Sequence, residues 1–189
     1  MYFLTWNNNK LREVCQILGD DIEQLVLDIE LPEIQSLDPV EVLTHKIQTA
    51  VDYMHAQDKY DSTVQFFVED VSLVCDALNW FPGPLIKRCL ASMGSEWLYR
   101  ILSDYDDYWA SVICTIWYRD GMQIHIHTGE LHGQIVTPRG DDLFGFDPVF
   151  KPDWFDQTFG EMDAVIKNSI SHRRLALDAL HSQRQDKSL

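Results

Sequence analysis

No stretch of this 189-residue chain approaches the roughly 20 apolar residues that a membrane-spanning helix needs. Cationic side chains are scarce: 15 lysines and arginines face 30 aspartates and glutamates, for a net charge of -15. Such a surface repels polynucleotides and anionic membranes, so neither is an expected partner. Cysteine is sparse too. Cys15, Cys75, Cys89 and Cys114 form no Cys-x-x-Cys pair, which argues against zinc and for reduced thiols in a cytoplasmic protein. The N-terminus lacks a basic region followed by a long apolar run and a cleavage site. It starts on a strand-like segment, Met1 to Thr5, as an unprocessed protein does. No internal repeat, low-complexity tract or linker divides the chain, so residues 1–189 read as one domain.

What is present is a core. Hydrophobic residues make up 46% of the chain and aromatics 12%, the composition of a folded protein. An acidic chain can still take a small anionic substrate, provided a local pocket collects its few cations, usually with a divalent metal. The lysines and arginines that neighbour glycine or asparagine therefore matter most.

The pattern along the chain is strand, loop, helix. After the first strand, Asn7-Asn8-Asn9 is a helix-capping run, and Leu11, Val14, Cys15 and Leu18 share one helical face that ends at Gly19. A short strand is expected around Leu25-Val26-Leu27. Asp38-Pro39 opens a long helix with Val40, Leu43, Ile47, Val51 and Met54 on one side. Val64 to Val68 is a buried strand that runs into Glu69-Asp70. Pro82-Gly83-Pro84 marks a turn, and a helix is expected over Glu96 to Leu102. Trp109 to Tyr118 and Gln123 to Thr128, joined by an Asp-Gly turn, read as a β-hairpin. Leu131 to Val136 adds a strand, and Ser171 caps a final helix carrying Leu175, Leu177 and Leu180. The alternation gives an α/β fold.

Four segments carry chemistry. Thr5 to Lys10 lies between a strand and a helix start, where backbone amides, side-chain donors and a lysine suit an anion. Glu33, Glu69 and Asp70 are carboxylates in a tight loop or after a strand, suited to magnesium or to orienting a water. Phe144-Gly145-Phe146-Asp147 combines rings that stack on a base with a glycine that admits close approach. Lys167 to Arg173 again sets cations at a helix start. Taken singly, each segment is equally well a capped helix, a surface acid or a loop with its own small cluster. His125 and His127, on one strand face without a third ligand nearby, read as the solvated side of the hairpin.

The order of the blocks is far more specific. TWNNNKLREV, LPE, FVEDVSLVCDALNWFPGPLIK, FGFDPVF and KNSISHR resemble the inosine triphosphate pyrophosphatase family along nearly the whole chain, closest to its eukaryotic branch. The resemblance implies an elongated mixed β-sheet flanked by helices, in two lobes with a central substrate cleft, and a homodimer. It implies hydrolysis of inosine and xanthosine triphosphates, deoxy forms included, to monophosphate and pyrophosphate. Thr5, Asn7 and Lys10 match its phosphate loop, and Lys46 and Lys87 match further nucleotide contacts. Glu33 and Asp70 match ligands of magnesium, with manganese equally suited to the oxygen donors. Asp70 is also the candidate to activate water, with Glu69 and Lys10 beside it in catalysis. Phe144, Gly145, Phe146 and Asp147 match the base-pocket loop, and Lys167, His172 and Arg173 the residues that close over the base. Three positions depart from the family pattern: Trp6, where a smaller residue is usual, Val71, where a hydroxyl is usual, and Asn79-Trp80 in place of a glycine-rich turn. They leave two alternatives open: a phosphohydrolase that releases orthophosphate, and a nucleotide-sensing module with little turnover.

Overall fold

The computed structural model describes residues 1–19, 22–29, 31–32, 34–57, 64–121, 123–141 and 144–186. Seven strands form one mixed sheet: β1 (Tyr2–Leu4), β2 (Glu23–Leu25), β3 (Phe66–Cys75), β4 (Pro82–Gly83), β5 (Trp109–Asp120), β6 (Gln123–Ile135) and β7 (Phe150–Pro152). Their order is β2-β1-β3-β5-β6-β7, with β4 on β3. β1 runs parallel to β2 and β3, and the other pairs are antiparallel. The helices are α1 (Asn8–Leu18), α2 (Pro39–Ala56), α3 (Ile86–Met93), α4 (Glu96–Leu102), α5 (Ala164–Ile170) and α6 (His172–Asp186).

Both faces of the sheet are packed. Leu43, Ile47, Ala50 and Met54 of α2 bury against Phe66, Val68 and Trp117 on one face. On the other, Val14 of α1 and Ala176, Leu177 and Leu180 of α6 cover Phe3, Phe67 and Ile116. Further along that second face, Trp97, Leu98 and Leu102 of α4 cover Leu73 and Val112. Side chains alternate between faces along a strand, so neighbours Glu69 and Asp70 point to opposite sides.

Local signals set most elements. Asn7 caps α1, its Oδ1 accepting from the amides of Asn9 and Lys10 at 3.0 and 3.1 Å. Asp38 caps α2 through the Val40 amide at 2.8 Å, and Pro39 fills the first turn. Ser171 caps α6, its Oγ accepting from the Arg174 amide at 3.1 Å.

Several expectations shift. β2 lies two residues earlier than Leu25–Leu27. Val40 is exposed, and Val42 and Ala50 take buried places on α2. The expected strands Gln123–Thr128 and Leu131–Val136 are one strand, β6. β3 does not end at Val68 but continues to Cys75, because β5 pairs with it along its whole length. Glu69 and Asp70 therefore sit mid-strand. They still lie at an open edge: β1 pairs with β3 only as far as Phe3 opposite Phe67, so the next residues of β3 border the space beyond the carboxyl end of β1. In parallel sheets that is where ligands bind.

His125 and His127 are not on the solvated face. α6 packs on their side of β6, and Gln183 Nε2 lies 2.9 Å from His125 Nδ1, while Ile124 and Ile126 on the other side are 46% and 45% exposed. Gly129 permits the close packing: a Cβ there would lie 2.2 Å from the His172 carbonyl oxygen and 2.3 Å from the Ala176 nitrogen.

Candidate active site

A cleft of about 1300 Å³ opens beyond β1. Every residue matched above to metal, phosphate or base lines it, except Glu33, which lies outside the described residues. Thr5 to Lys10 form one wall, the β3 acids and Lys46 and Lys87 another, and Phe144 to Asp147 with Lys167, His172 and Arg173 close the far end.

In the first wall, the amide of Asn7 donates to Thr5 Oγ1 at 3.1 Å. Both side-chain oxygens thus hold the loop in shape. The cap occupies the amides of Asn9 and Lys10, which leaves the Thr5 hydroxyl hydrogen, Asn7 Nδ2 and Lys10 Nζ to meet an anion. Trp6, 48% exposed, lines the same wall.

Behind the cleft runs a buried chain of opposite charges. Asp147 and Glu13 both accept from Lys167 Nζ, the latter at 2.7 Å. Glu13 also accepts from Arg173 Nη1. Arg173 donates from Nε and Nη2 to the two oxygens of Glu69, each at 2.9 Å. Lys10 Nζ closes the series 3.2 Å from Glu69 Oε1. Cys114 Sγ lies 3.4 Å from Glu69 Oε2 as a further donor. Such charges persist only because each is paired and hydrogen-bonded. Burial pushes the Glu69 carboxyl up, but Arg173 and Lys10 outweigh it and hold the group far below the usual carboxylate range. Burial also works against charged Lys10, Lys167 and Arg173, and in each case the facing carboxylates prevail and raise the pKa.

His172 behaves in the opposite way. Burial first, then the Arg173 charge, drive its pKa well below 6.5, so the ring is neutral. It packs between Phe146 and Phe159, with ring centroids 5.9 and 6.3 Å away. Its buried Nδ1 has no hydrogen-bond partner among the described residues. Lys167 Nζ sits 5.6 Å from the centroids of both Phe144 and Phe159. Gly145 takes a φ of 63° at the turn of this loop, a conformation that glycine adopts without strain.

Three placements differ from the sequence reading. Lys167 lies not at the start of the last helix but inside α5, a separate helix capped by Asp163. Arg173 is not an open donor: Glu69 and Glu13 take three of its N–H groups. Glu13 was not singled out, although it falls three residues after Lys10 and next to Val14, on the face of α1 that packs inward. Arg88, beside Lys87 on the unforeseen helix α3, also lines the cleft.

A family model, that of the Ham1 family, matches residues 1–183. The chain belongs to the Ham1 family. A curated Ham1 relative, the inosine triphosphate pyrophosphatase of Batrachochytrium dendrobatidis, is 39% identical over 188 residues, spanning 98% of this chain and 94% of the relative. Among solved structures, the HAM1 protein of Coxiella burnetii matches with a TM-score of 0.79 and 26% identity over 98% of each chain. The Mycobacterium abscessus protein described as a nucleoside-triphosphatase and dITP/XTP pyrophosphatase matches with a TM-score of 0.70 and 26% identity, over 95% of this chain and 98% of that one.

Proposed function

We propose that this Ham1 protein hydrolyses the triphosphates of inosine, deoxyinosine and xanthosine to monophosphate and pyrophosphate, clearing non-standard purines from the nucleotide pool. The observation that carries the reading is the joining, in one cleft, of a lysine-rich wall beside Asp70 to an aromatic end holding a neutral histidine. The names of the matched relatives support the reaction class.

The donor set suits a hard divalent cation carried in with the substrate, magnesium or manganese. Glu69 is committed to Arg173 and Lys10. No group of three or more metal-binding side chains occurs among the described residues. Magnesium characteristically takes one or two carboxylates and completes its shell with phosphates and water; Asp70 is one such carboxylate, and Glu33 is the second by family resemblance. When bound, the ion would neutralise phosphate charge and acidify water.

The side chains do the rest. Asp70 orients a water for in-line attack on the α-phosphorus and accepts its proton. Lys10, Lys46 and Lys87 neutralise charge that gathers on the departing pyrophosphate. Glu69 contributes as an anchor for Lys10 and Arg173, not as a base. Phe144 and Phe146 pack against the base. The His172 ring, presented as an N–H donor, suits the 6-oxygen of hypoxanthine or xanthine and not the 6-amine of adenine. Family resemblance supports a two-lobed single domain, a homodimer and a cytoplasmic setting.

The test is to incubate the protein with inosine, xanthosine and the four standard ribonucleoside triphosphates, with and without magnesium, and resolve the products. The reading expects monophosphate and pyrophosphate from the first two, only with metal. Orthophosphate as product would assign a different phosphohydrolase. Binding without turnover would make the protein a nucleotide-sensing module.

A further inference from the structure

We infer that Arg88 is a further substrate-binding residue, one that grips the terminal phosphates of the triphosphate and is held ready by Gln35. The inference rests on the reading of the cleft as a nucleoside triphosphate site.

Arg88 lies on the first turn of α3. Together with Asp70 and Lys87 it lines the large cleft, and the same three residues line a small adjoining cavity with Gln35 and Ser36. Arg88 therefore stands on the Asp70 side of the cleft, away from the aromatic end. With the amide of Gln35 oriented so that its oxygen faces Arg88, that oxygen accepts from Nε at 2.7 Å and Nη2 at 3.1 Å. This fork fixes the guanidinium plane and leaves Nη1 with both its hydrogens for another acceptor. A planar guanidinium with free N–H groups suits phosphate oxygens better than a point charge does.

Charge balance gives the second reason. Among the described residues, Lys10, Lys46, Lys87, Arg88, Lys167 and Arg173 line the cleft against Asp28, Glu69, Asp70 and Asp147, and Glu13 lies behind, bound to Lys167 and Arg173. Lys10, Lys167 and Arg173 are already matched by buried carboxylates. Without Arg88 the described balance is zero. A triphosphate carries several negative charges, and a cleft with no excess of cations does not concentrate it. Arg88 supplies that excess, in an exposed place where a ligand can reach it.

The test uses inorganic tripolyphosphate, titrated by calorimetry in magnesium buffer into the wild-type protein, Arg88→Met, Arg88→Lys and Gln35→Ala. Arg88→Met should weaken tripolyphosphate binding, and raise KM for inosine triphosphate, by about tenfold, the effect of one charge-assisted contact. Arg88→Lys should recover part of the loss, and Gln35→Ala should cost about threefold or less, since it removes only the pre-orientation. Binding of inosine monophosphate should not change in any variant. Equal losses for Arg88→Met and Gln35→Ala would overturn the inference, because the pair would then serve only to tie the 34–37 segment to α3. So would wild-type-like tripolyphosphate binding by Arg88→Met, or a failure of the wild-type protein to bind tripolyphosphate. Because this readout needs no turnover, a catalytically silent protein whose tripolyphosphate binding drops with Arg88→Met would refute the hydrolase reading and leave Arg88 as a phosphate contact.

Discussion

Replacing Glu13 by glutamine removes one charge from the middle of the buried chain and keeps its shape. Glu13, Lys167 and Arg173 have side-chain exposures of 11%, 5% and 3%, so solvent screens little of the loss. Breaking a buried ionic pair typically costs about 3–5 kcal/mol, because the abandoned charge stays desolvated. Here each abandoned cation keeps a second carboxylate, Asp147 for Lys167 and Glu69 for Arg173. The lower end applies, about 3 kcal/mol. In a chain of this length, 1 kcal/mol moves the melting temperature by roughly 2–4 °C, so the variant should melt about 6–12 °C lower. Urea unfolding followed by circular dichroism gives the free energy directly. Adding Lys167→Met removes the surplus positive charge, so the double variant should lose at least about 1 kcal/mol less than the two single losses together. A Glu13→Gln loss below about 1 kcal/mol, with an unchanged denaturant slope, would refute the view that the chain acts as one network.

Three other outcomes follow from the geometry. Asp70→Asn should abolish turnover of inosine triphosphate while leaving the melting curve near wild type; an active, folded variant would remove Asp70 from catalysis. His172 has a folded pKa well below 6.5, so below that pH the unfolded chain binds a proton that the native protein refuses. Its contribution to stability is full above about pH 6.5 and falls by up to about 1.4 kcal/mol per pH unit beneath it. His172→Gln should flatten the stability profile between about pH 6.5 and 5, and an unchanged slope would show that the ring is protonated in the fold. Gly129→Ala forces a methyl against backbone atoms of α6, which cannot give way as a side-chain tip would. It should cost more than about 3 kcal/mol, above the usual cost of overpacking, and a near-neutral result in urea unfolding would mean that α6 sits further from β6.

Local chemistry determined much of this protein from the sequence alone. Asn7 and Asp38 announce α1 and α2 by the hydrogen bonds that their side chains make to nearby amides, and the Asp-Gly turn announces the β5–β6 hairpin. Those contacts span a few residues, so composition and spacing suffice to see them. The residues along the cleft were legible as ordered blocks, and the Ham1 match covers that order. Tertiary structure decided what depends on distant partners. β3 runs on past Val68 because β5 lies beside it, which turns Glu69 and Asp70 from a strand end into the lip of a cleft. The helix α5, only seven residues long, is too short to hold itself in water, and packing on α1 and α6 supplies what its own sequence does not announce. Glu13, one of 30 acids by composition, becomes a buried anchor only when Lys167 and Arg173 arrive from more than 150 positions away. The charge of each group is written in the sequence, but whether it is exposed or buried, and which opposite charge it meets, is set by the fold, and so is the free energy that follows.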